Sequence, residues 1–253
     1  MTPALDLAAF AVGLGGREVV SPLRWRVAPG EVVGVVGPNG AGKSSLLRGA
    51  LGLLRHSGEA RLFGDPVERL APAERARRVA WLPQERRLAW GLTARRVAGL
   101  GALMKPAAEA DAAAARALAR VGLARLADRG VFEMSGGERA RVLIARLLAA
   151  SAPLIVADEP TSDLDPAAQL LVCEMLREEA ARGAAVILTL HDLGLAARFC
   201  DRLLVLHKGR VAADAPPREA LSPAVLHDVF GLAGRLLDTD AGPLPVVRRS
   251  PAA

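Results

Sequence analysis

The chain has 253 residues, 51% of them hydrophobic, and 33 Lys and Arg against 27 Asp and Glu give it a net charge of +6. A chain of this length buries roughly 75% of its unfolded surface, so one compact α/β unit is feasible without disulfides or metals. With three tryptophans, five phenylalanines, no tyrosine and arginines dispersed among Ala and Leu, the composition argues against a base-stacking surface and against a nucleic-acid partner.

The first apolar stretch, residues 4–16, lacks a positively charged start and carries Asp6, so it reads as an edge strand and a turn and not as a signal peptide. Residues 5–12, the segment around Val19 and Val20, and residues 23–27 predict three short antiparallel strands, separated by Gly13, Gly15-Gly16 and Pro22. Residues 31–36 predict a strand that runs into Gly37-Pro38-Asn39-Gly40-Ala41-Gly42-Lys43-Ser44, and Leu46, Leu47, Ala50, Leu51 and Leu54 then mark the apolar face of a helix. A short strand over 59–63 is expected between Ser57-Gly58 and Gly64-Asp65-Pro66, and another over 78–82 delivers Pro83-Gln84.

From 85 to 150 the pattern is helical and rich in alanine, with one helix over 107–121, and it ends in Met134-Ser135-Gly136-Gly137-Glu138 before Val142, Leu143, Ile144 and Leu147. Residues 154–157 read as a parallel strand covered on both faces, stopped by Asp158-Glu159-Pro160. A helix over 166–182 has Asp165 as N-cap, Pro166 at its first position and Gly183 beyond its end. The next strand, 185–190, carries His191-Asp192 at its C-terminal end, and 203–206 pairs with 210–213 across Lys208-Gly209. Residues 216–253 are expected to be helical near 224–230 and loose after Gly242. No apolar run approaches the roughly 18 residues of a membrane span. Cys173 and Cys200, without C-x-x-C spacing, read as two reduced thiols of a cytoplasmic protein.

Strand, glycine loop and helix around residues 37–44 form a P-loop, in which backbone N–H groups at a helix N-terminus cradle a triphosphate, Lys43 reaches its β- and γ-phosphates and the Ser44 hydroxyl ligates Mg²⁺. In an open parallel sheet, functional groups gather at the C-terminal ends of the strands, and Gly37 to Ser44, Gln84, Asp158-Glu159 and His191 all stand at such ends. Asp158 suits a Mg²⁺ contact, direct or through water, and Glu159 suits activation of a water by accepting its proton. His191 and Gln84 carry little signal alone, and Asp165 serves equally as a helix cap. Ser135 to Glu138 fits a capping box, yet two glycines inside it leave backbone N–H groups bare for a second phosphate site.

The set GPNGAGKS, Gln84, MSGGE, LIVADEP, SDLD and His191, in this order, resembles the ATPase subunit of ATP-binding cassette transporters over roughly residues 5–230. In detail the chain is similar to the cassettes of bacterial importers for iron chelates (siderophore or haem) or cobalamin, on the stretches WLPQERRLAWGLTARRVAGLGALMKP and LHDLGLAARFCDRLLVLHKGRVAADAPPREAL. The fold this resemblance implies is α/β, a P-loop NTPase core of mostly parallel sheet flanked by helices, with an N-terminal antiparallel β subdomain and an inserted α-helical subdomain. Residues 1–84 and 151–213 would form the core with its antiparallel part, 85–150 the helical signature subdomain and 214–253 a C-terminal extension.

The resemblance further implies ATP and Mg²⁺ as ligands, with Lys43, Gln84, Glu159 and His191 catalytic and Ser44, Gln84 and Asp158 toward the metal. Gly37, Pro38, Asn39, Gly40, Ala41, Gly42, Lys43, Ser44 and Ser45 would hold the nucleotide, joined by Leu14 and by Ser135, Gly136, Gly137 and Asp165. It implies a head-to-tail homodimer in which Ser135 and Gly137 of one copy close over the ATP of the other. That dimer would sit on the cytoplasmic side of the cell membrane beneath two permease subunits, in a complex with a periplasmic or surface substrate-binding protein. Gln84 would link the site to the helical segment after it, whose outer face would receive a permease loop.

Leu14 departs from the family, which usually stacks an aromatic residue on adenine there; Met134 replaces a more usual Leu, and Asp163 a small residue. Three other readings compete: a soluble cassette ATPase of DNA repair or translation, the cassette of an exporter, and a GTPase. The first usually brings a coiled-coil insertion or two cassettes per chain, and the last an N/T-K-x-D motif, none of which is present. A pure binding module would need defective hydrolytic residues, whereas Lys43, Asp158, Glu159 and His191 are all in place.

Overall fold

The structure is a computed structural model, and it describes residues 2–85 and 91–250. In chain order the first elements are β1 (Leu5–Leu14), β2 (Arg17–Val27), β3 (Val32–Val36), α1 (Lys43–Ala50), β4 (His56–Leu62), β5 (Asp65–Pro66), α2 (Pro72–Arg78) and β6 (Val79–Leu82). The helices α3 (Ala94–Gly99), α4 (Ala107–Arg120) and α5 (Gly136–Ala149) follow, and then β7 (Leu154–Ala157), α6 (Pro166–Ala181), β8 (Ala185–Thr189) and α7 (Leu193–Phe199). The chain ends with β9 (Arg202–His207), β10 (Arg210–Ala215), α8 (Pro217–Ala220), α9 (Pro223–Phe230), β11 (Leu232–Thr239) and β12 (Gly242–Arg249).

A six-stranded sheet in the order β10-β9-β3-β8-β7-β6 is parallel throughout except for β10, which pairs antiparallel at its edge. Every residue of β3, β7 and β8 is buried, which is why these strands read as continuous apolar runs. Period-two alternation divides them between two cores. Val33, Val35, Val156 and Ile187 pack with α1 and the antiparallel sheet β2-β1-β4-β5, whereas Val32, Val36, Ile155, Val186 and Leu188 pack with the helical segment and α6.

Four expectations need correction, and one helix was not foreseen. The strand β1, expected at an edge, is interior, paired with β2 on one side and β4 on the other. The segment before the P-loop forms two strands and not three: β2 runs through Pro22 because it is the edge of its sheet, where a missing N–H breaks no ladder. Ser57-Gly58 lies inside β4, where Gly58 passes so close to the bulge at Ala9 that a Cβ would sit 2.1 Å from its carbonyl oxygen. The α2 helix buries no residue, so it left no apolar period to read. Residues beyond Gly242 are not loose but form β12, paired with β11 and packed on α7. Pro243 and Pro245 read as breakers, yet a two-stranded ribbon leaves alternate N–H groups unpaired, and residues two apart share that side. Leu236 of β11 is buried and anchors the ribbon.

Cys173 and Cys200 are free and buried, and burial pushes the Cys173 thiol up to about 12 and raises Cys200 as well. Because the thiolate is the reacting species, neither cysteine is expected to react with a thiol-specific disulfide reagent in the native chain, and both are expected to react in denaturant. Rapid native labelling of either would contradict this packing.

Candidate active site

The loop after β3 is shaped by close approaches. A Cβ on Gly37 would lie 2.1 Å from the Leu206 carbonyl oxygen, and one on Gly42, whose φ is 101°, would lie 2.8 Å from that of Val19. No side chain caps α1 and no acid occupies its first turn, so its N-terminal N–H groups are left to an external anion. Lys43 is buried, and its Nζ donates to the Gly37 and Pro38 carbonyl oxygens at 2.8 and 3.1 Å. Burial lowers the Lys43 pKa from its ordinary value, and the carboxylates of Glu159 and Asp158 oppose that shift. A bound phosphate would add to their pull and hold the ammonium form.

The parallel strands deliver the other groups to the same side. A cleft of about 370 Å³ is lined by the loop from Asn39 to Ser45 with Val19, Gln84, Glu159 and His191. His191 Nε2 stands 2.6 Å from Glu159 Oε1, so the base candidate and the histidine already touch. Asp158 is 2% exposed and lies behind the cleft wall; its Oδ1 accepts the Thr189 hydroxyl at 2.6 Å, and the same hydroxyl oxygen accepts the Glu159 N–H at 2.7 Å. Glu159 sits at φ 53°, a left-handed conformation that side chains adopt at a cost of about 1 kcal/mol or more. Val19 and Thr189 were not legible as site residues: Val19 belongs to an ordinary edge strand, and only a lone hydroxyl in the apolar run 185–190 hinted at Thr189.

Leu14, Ser135, Gly136, Gly137 and Asp165 lie outside the lining of this cleft. Leu14 is 43% exposed at the end of β1. Asp165 caps α6, its Oδ1 accepting the Ala168 N–H at 2.9 Å. The capping box at α5 is complete, with the Ser135 N–H donating to Glu138 at 2.8 Å and the Glu138 N–H to Ser135 Oγ at 3.2 Å. Ser135 is exposed, and a Cβ on Gly136 or Gly137 would meet nothing within 4 Å. Nothing inside the chain therefore requires glycine at either position. Among the described residues no three His, Cys, Asp or Glu gather as a metal cluster. The hydroxyl of Ser44, the carboxamide of Gln84 and the carboxylate of Asp158 are hard oxygen donors, a set that fits Mg²⁺ held largely by substrate phosphates.

The ABC transporter family model matches residues 20–162, from β2 through Asp158-Glu159. The chain belongs to the ABC transporter family. The hemin import ATP-binding protein HmuV of Pseudomonas entomophila is 43% identical over 236 residues, covering 90% of this chain and 92% of that protein. The cobalamin import ATP-binding protein BtuD of Halobacterium salinarum is 40% identical over 232 residues, covering 89% of this chain but 58% of that protein. Among solved structures, a dimeric ATP-binding cassette in a post-hydrolysis state bound to ADP and Pi superimposes with a TM-score of 0.76 at 26% identity, over 85% of this chain and 99% of that one. This ABC cassette is accordingly an ATPase that energises an importer, on the P-loop fold expected from its sequence.

Proposed function

We propose that this ATPase powers the import of a metal chelate, an iron complex such as haem or a siderophore, or cobalamin, and works as a head-to-tail homodimer beneath two permease subunits. The observation that carries the reading is the convergence of the glycine loop, Gln84, Glu159 and His191 in one cleft while the Ser135 tip of α5 stands apart from it and open to solvent. A phosphate bound in that cleft faces outward, and a second copy's Ser135 and Gly137 would cover it. The names of the hemin and cobalamin import relatives support the cargo class. No helix among the described residues is long and apolar enough to cross a membrane, in keeping with a peripheral subunit on the cytoplasmic side. Leu103, Met104 and Phe132 expose large apolar side chains on the segment proposed to receive the permease loop, and a periplasmic or surface substrate-binding protein would complete the complex.

In this reading the loop from Gly37 to Ser45 binds the triphosphate and Lys43 draws charge off its terminal phosphates. Glu159 orients and deprotonates the attacking water, and His191 fixes the Glu159 carboxylate. Mg²⁺, held by Ser44, Gln84 and Asp158, would supply neutralisation of phosphate charge. Gly136 would lie beside the second copy's phosphates, and Asp165 at the seam. The test is affinity purification of the chain from membranes, followed by reconstitution: a many-helix permease should co-purify, and ATP-dependent uptake of haem should exceed that of cobalamin or the reverse. A chain that purifies without any membrane partner would remove the transport reading.

Leu14 bears on the base. An aromatic stack contributes about 1–3 kcal/mol, so Leu14→Tyr is expected to tighten ATP binding by roughly 5- to 150-fold, measured by nucleotide titration. An unaltered dissociation constant would place the adenine elsewhere, with Val19, which does line the cleft, as the neighbouring surface.

A further inference from the structure

We infer that Thr189 is a positioning residue of the hydrolytic site: its single hydroxyl sets which Asp158 oxygen faces the metal and where the Glu159 carboxylate stands. The inference deepens the proposed Mg²⁺-ATPase reading and rests on it.

Thr189 is 0% exposed at the C-terminal end of β8, in register with Val35 of β3. Its neighbours in the strand are aliphatic, and a buried hydroxyl in such surroundings costs free energy unless its hydrogen-bonding capacity is filled. Here it is filled from one direction. The hydroxyl donates to Asp158 Oδ1 at 2.6 Å, and its oxygen accepts the Glu159 N–H at 2.7 Å. Both partners lie just past the end of β7, and they are the two acids whose chemistry differs most.

Each bond has a separate consequence. Oδ1 of Asp158 accepts the Thr189 hydroxyl, so the carboxylate cannot turn without breaking a buried bond, and Oδ2, with both lone pairs outside that bond, is the oxygen better placed to serve a metal ion or its water. The second bond holds the Glu159 N–H while that residue occupies a left-handed conformation at φ 53°. That conformation carries the Glu159 side chain to His191, 2.6 Å from its Nε2. Since β8 also delivers His191 two residues later, the Thr189 hydroxyl ties the end of the histidine's strand to the end of the acids' strand. A valine there would fill the same volume, leave the Glu159 N–H without this acceptor and free Asp158 to turn.

The experiment compares Thr189→Val, Thr189→Ala and Thr189→Ser with the parent in the full chain, reading kcat and KM for ATP separately and the affinity for Mn²⁺ in the presence of ATP by electron paramagnetic resonance. Groups that orient a metal-site ligand contribute about 10- to 100-fold to affinity or activity. Thr189→Val is expected to lose kcat by about that factor with KM changed less than about threefold, to bind Mn²⁺ about tenfold more weakly, and to be matched by Thr189→Ala. Thr189→Ser, which restores the hydroxyl but not the methyl, is expected to recover most of both quantities. A Thr189→Val or Thr189→Ala chain with parental kcat and Mn²⁺ affinity would overturn the inference, as would a Thr189→Ser chain as impaired as Thr189→Val, which would assign the effect to packing. A parent without ATP turnover would instead count against the ATPase reading, and the Mn²⁺ comparison would still decide the role of Thr189.

Discussion

Glu159→Gln should bind ATP with parental affinity and release phosphate at least about 10²- to 10⁴-fold more slowly, the range that a positioned general base contributes. The carboxamide has the shape of the carboxylate and can keep a hydrogen bond to His191 Nε2, which now stands 2.6 Å from Glu159 Oε1. It cannot take a proton from water. The backbone is unaffected, since the left-handed turn at residue 159 is held by an N–H to Thr189 and not by the side chain. Nucleotide binding belongs to the loop and to Lys43, on the other wall of the cleft. Binding and cleavage should therefore separate. If two copies close over ATP and open on hydrolysis, the variant should also accumulate as an ATP-bound dimer, visible by size-exclusion chromatography with light scattering. Turnover within a few-fold of the parent would take Glu159 out of the base role and leave His191 as the candidate.

Much of this site was legible before any coordinates because its chemistry is written at strand ends. Fully buried parallel strands such as β7 and β8 are short apolar runs, and the cleft is lined by polar residues that follow within two positions of their ends, Glu159 and His191. The glycine loop stood out by its own pattern, Asp158-Glu159 gained weight from lying behind it, His191 stood at a strand end but took its role from the family resemblance, and the hairpin of β9 and β10 was marked by its Lys208-Gly209 turn. What was missed lies where the deciding contact is distant in sequence. Thr189 acts through partners about thirty residues away, and nothing local distinguishes it from a strand-forming threonine. Val19 enters the cleft only because Gly42 packs against the backbone of β2. The ribbon of β11 and β12 was hidden by its prolines, whose tolerance depends on which edge of the ladder they face.

Gly137→Asp should give a fold at least as stable as the parent and an enzyme with almost no turnover. Glycine is a poor helix residue, and position 137 is in the first turn of α5, where an acid is favoured by the helix dipole; together these make the substitution stabilising by about 0.3–1 kcal/mol. A Cβ at this position would have nothing within 4 Å. Toward a phosphate arriving from a second copy the same carboxylate is repulsive and covers the N–H groups that would donate to it, and loss of one such donor costs roughly 10²- to 10³-fold in rate. ATP binding to each separate chain should stay parental, because the cleft around Lys43 contains no residue of this turn. The geometry can then be read by mixing. In a head-to-tail dimer of Lys43→Ala with Gly137→Asp, one composite site carries both lesions and the other carries neither. Equal mixtures that exchange subunits should recover up to about a quarter of parental turnover from two inactive proteins. If the Ser135 turn instead served the cleft of its own chain, every site in every dimer would keep a lesion, and mixing would restore nothing.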